Sequence, residues 1–400
     1  MDRASGFAES KVHLRIRVAQ FDLQAPGNIW GTEGYAAADI LVRSHGVPVG
    51  RLRVPLQDVD MLTKERMSQL AEKFSDAASQ VGVFQDLASE PSISVVVCTR
   101  DRPIALSRCL ASLQAIRYSN FEVLVVDNAS RANETKELVA KTSFRYVREE
   151  RPGLDWARNC GLFAARNDIV AYTDDDVQVD PDWLKGIAFG FNHPQVACVT
   201  GLVCPLELET PAQTLFEEYG GMGKGFAPRI FQPAKMLPGE LIASHSSGVG
   251  ANMAFRRDFL MKQNGFDVHL DVGTPSNGGG DLDVFHRTMA NGGVIRYEPR
   301  ALVWHQHRRS IPGLHKQIYN NGRAFGCYLM KIASKRSVAR GALAAFAAKH
   351  WIGGWLIGSL IKGGPGRTPM LVAAEIAGAL SSPWAYWKTY RRIPILSRVS

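Results

Sequence analysis

The segment Ile169-Val170-Ala171-Tyr172-Thr173-Asp174-Asp175-Asp176 joins an apolar run to three consecutive aspartates. Such a run predicts a buried strand whose end carries negative charge. Adjacent carboxylates resist joint ionisation, and a hard cation such as Mg²⁺ or Mn²⁺ relieves that repulsion by taking oxygen ligands. The segment therefore indicates either a metal site that shares its cation with substrate phosphates or a solvated acidic turn before a helix.

The sequence on both sides of this segment alternates strand and helix patterns. Short apolar runs that are separated by helices are typical of a mostly parallel sheet covered on both faces. The predicted elements are strands Ile93–Cys98, Val123–Val126, Ile169–Tyr172 and Val196–Val203, and helices Ile104–Ile116, Leu154–Ala165 and Trp183–Phe191. Ligands of such sheets bind outside the carboxyl ends of the strands, which is where the aspartates lie.

The first two predicted strands also end in polar residues. Arg100 follows the first strand and is suited to a phosphate, while Asp127 follows the second and could accept hydrogen bonds from a base or a ribose. Asp127 and Ser130 could instead cap the next helix. Arg158 lies on the helix before the aspartate strand, where it is either a site residue or an ordinary surface charge.

Six segments in this order resemble the family 2 glycosyltransferases of the GT-A fold. They are SVVVCTRDRP (94–103), VLVVDNAS (123–130), RPGLDWARNCG (151–161), IVAYTDDDV (169–177), GGGDLD (278–283) and VWHQHR (303–308). The resemblance covers about Pro91 to Arg309. It implies an α/β fold of the GT-A type, with a mostly parallel sheet between helices.

The resemblance also implies a donor site. The residues that match the family's donor-binding motifs are Thr99, Arg100 and Asp127 for the nucleoside, Arg158 for the diphosphate, and Asp174, Asp175 and Asp176 for the metal and nucleotide sugar. Within the aspartate triplet, Asp174 and Asp176 are the expected metal ligands. His305 matches a histidine that often ligates the metal in the family, with His307 as the second choice and a structural role as the alternative.

The expected catalytic base is Asp281, with Asp283 as the second choice. The family usually has a glutamate before this aspartate, whereas this chain has Gly280. Either carboxylate could instead be a helix-start residue that the helix dipole favours. Asn252, in a segment that resembles the family's acceptor-side strand, could contact sugar or be a buried structural amide.

These residues predict a single displacement with inversion. A metal ion and Arg158 would stabilise the departing diphosphate, and Asp281 would take the proton of the acceptor hydroxyl. The expected substrates are a UDP- or GDP-sugar and a glycan or lipid-linked acceptor, in surface glycan or glycolipid synthesis. The expected cofactor is Mg²⁺ or Mn²⁺.

The charge of the chain is unevenly distributed. Residues 301–400 contain fifteen Lys or Arg and one acid, Glu375, whereas residues 1–300 contain 32 basic and 37 acidic residues. Tryptophans 351, 355, 384 and 387 lie among apolar residues of this basic tail. Aromatic residues with adjacent basic ones favour contact with an anionic membrane surface, or the tail packs on the catalytic part. No nucleic-acid-binding motif is present in the sequence.

Three units are predicted: a small α+β accessory domain (1–90), the GT-A domain (91–310) and a basic helical tail (311–400). The N-terminal unit contains no chemical motif, and its strands include Val12–Val18 and a hairpin about Gly46 before a helical stretch, Met61 to Phe84. The six cysteines form no C-x-x-C pair, the first residues lack an apolar signal segment, and no run of about 18 apolar residues occurs. These features predict a cytoplasmic protein, peripheral at the inner face of the plasma membrane.

Several other enzyme classes do not fit. An oxidoreductase would need G-x-G-x-x-G after the first strand, and a nucleotidyltransferase would need a glycine-rich first loop, but Cys98–Pro103 contains no glycine. A processive synthase would have Q-x-x-R-W and membrane spans. A catalytically silent GT-A domain that binds glycans or acts as a scaffold stays open, because Gly280 replaces the usual glutamate.

Overall fold

The computed structural model describes residues 15–56, 60–81, 90–335, 337–363 and 366–392. The N-terminal part forms a three-stranded sheet, a two-stranded ribbon and two short helices. Its elements are β1 (Ile16–Asp22), β2 (Ile29–Trp30), β3 (Ala37–Ser44), β4 (Val47–Pro55), β5 (Met61–Leu62), α1 (Lys64–Ala71) and α2 (Ser75–Gln80). The predicted hairpin is confirmed, because β3 and β4 are antiparallel and meet at His45 and Gly46, both with positive φ. Residues 12–14 and 82–84 of the predicted strand and helix lie outside the described residues.

A nine-stranded sheet forms the centre of the molecule. Its strands are β6 (Ile93–Thr99), β7 (Phe121–Asn128), β8 (Arg145–Glu149), β9 (Ile169–Asp174), β10 (Val177–Val179), β11 (Val196–Pro205), β12 (Arg229–Phe231), β13 (Asn252–Arg256) and β14 (Val294–His305). The order is β10-β14-β11-β13-β9-β6-β7-β8, and β12 pairs with β14. Strands β9, β6, β7 and β8 are mutually parallel, and β13 runs antiparallel between β9 and β11.

Helices cover both faces of this sheet. They are α3 (Pro103–Gln114), α4 (Glu134–Val139), α5 (Leu154–Ala164), α6 (Trp183–Gly190), α7 (Pro211–Tyr219), α8 (Pro238–Ile242), α9 (Arg257–Lys262) and α10 (Gly280–Ala290). Strand β6 is buried along its whole length: Val95 and Val97 pack with α3 and α6, while Val96 and Cys98 pack with α5 and α10. Burial on both faces explains why the strand is a continuous apolar run.

The register of the sheet brings the polar strand ends together. Thr99 at the end of β6 lies opposite Asp127 of β7, and Cys98 lies opposite Asp174 of β9. The carboxyl ends of three parallel strands therefore meet at one edge, as the sequence predicts. This α/β architecture with a mostly parallel central sheet is of the GT-A type.

The C-terminal part is helical and packs on the sheet domain. It consists of α11 (Ile311–Lys335), α12 (Arg340–Phe346), a π-helical stretch (Ala347–Ile357), α13 (Gly358–Lys362) and α14 (Pro369–Arg392). Gly353 and Gly354 lie inside the π-helical stretch and do not interrupt it. Among the described residues, no helix combines the length and the hydropathy that crossing a bilayer requires.

Candidate active site

Three of the predicted residues form a compact cluster at the edge of the sheet. One ligand atom each of Asp174, Asp176 and His305 lies within 4.8 Å of the other two. His305 Nε2 is 3.3 Å from Asp176 Oδ1. Strand β9 supplies Asp174, while Asp176 ends the two-residue turn before β10, which pairs with the end of β14 where His305 lies. Two carboxylates and one imidazole around a common point form a donor set that suits Mn²⁺ or Mg²⁺.

The surroundings shift the pKa values of the Asp174 and Asp176 carboxyls in opposite directions. Burial raises the pKa of Asp174. Burial also opposes ionisation of Asp176, but His305 and Arg102 together lower the pKa of that carboxyl below its usual value. A lowered pKa at Asp176 beside a partly exposed Asp174 is consistent with a site that accepts a cation from solvent.

Asp175 turns away from the cluster. Its carboxylate accepts hydrogen bonds from Thr99 Oγ1 at 2.7 Å and from Arg102 Nη1 at 2.5 Å. Burial raises the pKa of Asp175 to about 7 despite this ion pair. Arg102 also donates to Asp176 Oδ2 at 2.8 Å. These bonds join Asp175 to the end of β6 and to Arg102. Contact of Asp175 and Thr99 with the nucleotide stays a prediction.

The two remaining nucleoside candidates lie at different depths. Asp127 is buried, and its carboxylate accepts from Tyr146 Oη and Arg148 Nη1, both at 2.8 Å, and from the Ser130 amide at 3.1 Å. Helix α4 begins only at Glu134, so Asp127 is not its cap. Arg100 is half exposed, and its Nε lies 3.9 Å from Asp101 Oδ2.

Arg158 connects the cluster to a second acidic group. It is buried on α5, with Nη1 donating to Asp155 Oδ1 at 3.0 Å and Nη2 lying 3.8 Å from Asp174 Oδ1. Burial and the neighbouring charge of Asp271 raise the pKa of Asp155 well above its usual value. Arg158 is therefore a buried cation beside the cluster and not a surface charge.

Asp281 lies in the first turn of α10 and lines the same cavity as Arg158. Its Oδ2 accepts from the Gly250 amide at 3.0 Å, and its Oδ1 accepts from the Leu282 amide at 2.9 Å. A Cβ placed on Gly250 would lie 2.8 Å from Arg158 Nη2 and 3.3 Å from Asp281 Oδ2, so the two side chains approach one point. The Asp281 carboxylate keeps lone pairs free toward the cavity that it lines.

The two remaining sequence candidates are structural. Asp283 is buried in an ion-pair network with Arg287 at 2.7 Å and Lys331 at 2.6 Å. Asn252 is also buried, where its amide donates to two backbone carbonyls and accepts from Trp183 Nε1. Neither residue has a free polar atom for a substrate.

Gly280 leaves room for a carboxylate from another helix. A Cβ on Gly280 would lie only 1.9 Å from Asp155 Oδ2. No side chain fits here unless Asp155 moves. The carboxylate of Asp155 thus occupies the place where a side chain at position 280 would begin, beside Asp281.

A cavity of about 840 Å³ extends from these residues under the C-terminal helices. One part of its lining is charged: Asp155, Arg158, Asp174, Lys224, Asp271 and Asp281. Another part is aromatic: Phe216, Tyr219, Phe325, Phe346, Trp351 and Trp355. The helical tail therefore forms a wall of the candidate active site.

Comparison with known proteins agrees with this geometry. Residues 94–262 match the family model described as glycosyl transferase family 2. The chain carries a family 2 glycosyltransferase domain. The match begins in β6 and ends with α9, and so includes the aspartate triplet and Arg158.

This glycosyltransferase domain has named relatives. The pre-mycofactocin glycosyltransferase of Mycobacterium tuberculosis is 29% identical over 227 residues, 56% of this chain and 44% of the relative. The glucosyl-dolichyl phosphate glucuronosyltransferase of Haloferax volcanii is 26% identical over 187 residues, 44% of this chain and 56% of the relative. The chain therefore spans about half the length of these two relatives.

A solved structure shares the fold. The mannosyltransferase PcManGT of Pyrobaculum calidifontis, in complex with GDP-Man and Mn²⁺, superposes with a TM-score of 0.51 at 19% identity. The superposition covers 74% of this chain and 88% of that one. At this identity the likeness shows the fold of the glycosyltransferase domain and nothing finer.

Sequence reasoning missed several residues of the glycosyltransferase site. Arg102 lies two positions beyond Arg100 in the same motif and directly precedes Pro103, where α3 begins. This proline is the sequence signal that marks Arg102 as the last residue of the loop. Asp155 lies within the segment RPGLDWARNCG (151–161), but the sequence alone predicts no role for it. Tyr146 and Arg148 lie on β8, whose short half-buried strand has no distinctive pattern.

Proposed function

We propose that this chain is a metal-dependent, inverting glycosyltransferase that moves a sugar from a nucleotide diphosphate sugar to an acceptor hydroxyl. The observation that carries the proposal is the placement of Asp174, Asp176 and His305 next to Arg158, with Asp281 lining the same cavity. A cation site, a buried guanidinium and a carboxylate are the groups that this reaction requires.

Each residue has a role in this reaction. Asp174, Asp176 and His305 would hold Mg²⁺ or Mn²⁺, and the bound cation would neutralise the charge of the departing diphosphate. Arg158 would stabilise the same charge from the protein side, where burial strengthens its field. Asp281 would accept the proton of the attacking hydroxyl. A single base without a covalent nucleophile on the opposite side is consistent with one displacement and inversion.

The donor is inferred from the fold and the edge residues. PcManGT, which shares the fold, is described with GDP-Man and Mn²⁺. In this chain, the buried Asp127 and the partly exposed Tyr146 and Arg148 form a hydrogen-bonded group on β7 and β8. A UDP- or GDP-sugar whose nucleoside reaches this group would place its diphosphate between Arg158 and the cation.

The cavity supports an acceptor with an apolar portion. Its aromatic part is continuous with the space in front of Asp281, so a hydroxyl at the base can belong to a molecule whose apolar group contacts Trp351 and Phe325. The Haloferax relative is named for a dolichyl phosphate substrate. We infer a glycan or lipid-linked acceptor with such a group.

Helix α14 supports contact with an anionic membrane. Its outward side chains at 370, 373, 377, 380, 384 and 387 follow a helical repeat and form an apolar stripe that includes Met370, Leu380, Trp384 and Trp387. Lys388 lies over the Trp384 ring and Arg391 over the Trp387 ring. An apolar stripe with cations at one end suits a lipid interface. The opposite face of α14 packs on α11. Within the proposed tail unit, residues 311–400, α14 therefore has one packed face and one exposed apolar stripe.

Replacing Trp384 and Trp387 by alanine is expected to weaken binding to vesicles that contain phosphatidylglycerol. Burying about 100 Å² of each indole contributes roughly 2 kcal/mol, which is more than tenfold per ring. Co-sedimentation of the full chain with the vesicles measures the effect. Trp30→Ala is the matched control, because Trp30 is more exposed, at 65% against 54% for Trp384 and Trp387, but lies on β2. Equal sedimentation of all variants would contradict the membrane proposal.

The function itself is tested by nucleotide release. With Mn²⁺ and a candidate acceptor, the unaltered chain is expected to release UDP or GDP from one of a panel of sugar nucleotides, and EDTA should stop the release. Asp174→Asn should lower the rate by about 10²-fold or more, because one charged ligand is lost. Asp258→Asn, a surface change on α9, is the control. Release that is indifferent to both EDTA and Asp174→Asn would contradict the metal assignment.

The alternative of a silent glycan-binding domain depends on Gly280. Asp155 supplies a carboxylate in the space at that position, and Asp281 retains its contact with Gly250. These two observations favour an active enzyme. Binding of sugar nucleotides without any release across the panel would favour the silent domain instead.

A further inference from the structure

A line of buried hydrogen bonds leads from the candidate metal ligand His305 to the N-terminal part of the chain. His305 Nδ1 lies 3.1 Å from His307 Nδ1, and His307 Nε2 lies 2.8 Å from Glu217 Oε1. Arg51 of β4 then donates to Glu217 Oε2 at 2.6 Å. The side chains of His305, His307 and Glu217 are each about nine-tenths buried or more. We call His307, Glu217 and Arg51 the relay.

The chemistry of the relay fixes one proton arrangement. A histidine that ligates a metal through Nε2 must carry its proton on Nδ1, and that N–H then needs an acceptor. His307 can accept on its Nδ1 only when its own proton is on Nε2, from which it donates to Glu217. Glu217 is therefore required as an acceptor, and the direction of every bond follows from metal binding by His305.

Glu217 is held as a carboxylate by the N-terminal part. Burial would raise the pKa of Glu217, but the hydrogen bond from His307 and the charge of Arg51 lower it to about 2. Arg51 is itself fixed by an ion pair with the buried Asp39 of β3. Nearby, Leu41 of β3 packs with Leu202 of β11 and Trp304 of β14. The N-terminal sheet and the central sheet therefore share a hydrophobic cluster beside the ion pair.

We infer that the N-terminal unit completes the metal centre, with Arg51, Glu217 and His307 acting as positioning residues that orient His305 and set its tautomer. The inference rests on the proposed metal-dependent function. It assigns a role to a unit in which the sequence contains no chemical motif. None of the three relay residues is proposed to touch the substrate or the cation.

The test measures Mn²⁺ binding by the full chain and does not need an acceptor. Glu217→Ala and Arg51→Ala are expected to weaken Mn²⁺ binding by about 10- to 100-fold, as loss of a partner of a metal-ligating histidine typically does. Free Mn²⁺ is quantified by its electron paramagnetic resonance signal. Pulsed measurements on the bound ion should show the nitrogen coupling of His305 in the unaltered chain, and a reduced coupling in both variants. His305→Ala identifies that signal.

Arg53→Ala is the matched control. Arg53 lies two residues from Arg51 on the same strand and also pairs with Asp39, but it reaches Glu218 at 3.3 Å instead of Glu217. Its loss should leave Mn²⁺ affinity and the nitrogen coupling unchanged. Should Glu217→Ala fail to fold, Arg51→Ala decides, because Arg51 is only partly buried.

The outcomes separate this inference from the proposed function. Unaltered Mn²⁺ affinity and coupling in the relay variants would overturn the positioning role but leave the metal-dependent enzyme intact. Equal losses in Arg53→Ala would overturn it as well, since they would reflect general loosening of the N-terminal unit. Absence of Mn²⁺ binding by the unaltered chain would overturn both proposals.

Discussion

Replacing Asp281 by asparagine is expected to lower kcat by about 10²- to 10⁴-fold, the usual contribution of a general base. The amide keeps the shape of the side chain and can still accept from the Gly250 amide, so the cavity wall should not change. It cannot take a proton from the acceptor hydroxyl. Binding of the sugar nucleotide and of Mn²⁺ should persist, because the groups proposed to bind them lie on other strands and helices.

The second carboxylate of α10 provides the control. Asp283→Asn leaves Arg287 and Lys331 short of their buried counter-charge, so its expected effect is lower thermal stability and not a selective loss of kcat. Rates measured well below the unfolding temperature separate the two effects. Wild-type turnover by Asp281→Asn would show that another group takes the proton.

Much of the fold could be predicted because its central strands are buried on both faces. Ile93–Thr99 and Val196–Pro205 are buried throughout and read as continuous apolar runs. The carboxyl ends of parallel strands share an edge, which brings Asp127 and Asp174 near each other without further information. The tip of β14, which brings His305 to the same edge, was placed by family resemblance alone.

The remaining part of the site depends on tertiary approach and has no local signature. Glu217 is 90 residues from His307, and only the packing of α7 on the end of β14 makes them neighbours. Likewise, Asp175 and Asp176 are adjacent in sequence and share Arg102, yet Asp175 also accepts from Thr99 whereas Asp176 lies beside His305. Periodicity identifies which segments are buried, but not which polar groups meet.

Gly280→Ala is expected to reduce both activity and stability, although the same change usually stabilises a helix. Alanine normally stabilises a helix by about 1 kcal/mol relative to glycine. Here its Cβ would lie 1.9 Å from Asp155 Oδ2, so either the buried carboxylate or the start of α10 must move. Overpacking of this kind costs about 1–3 kcal/mol. Displacement of Asp155 or α10 would also shift Arg158 and Asp281, and we expect kcat to fall by about 10²-fold.

Gly341→Ala is the matched control, because Gly341 lies in helix α12 and a Cβ there meets nothing within 4 Å. It should unfold at the same temperature as the unaltered chain or slightly higher. Adding Asp155→Ala to Gly280→Ala removes the colliding atoms, so the double variant should be more stable than the sum of the single effects predicts. If the losses in the two single variants simply add in the double variant, the proposed collision is contradicted. If the double variant regains stability but not activity, Asp155 contributes to the site by more than its volume.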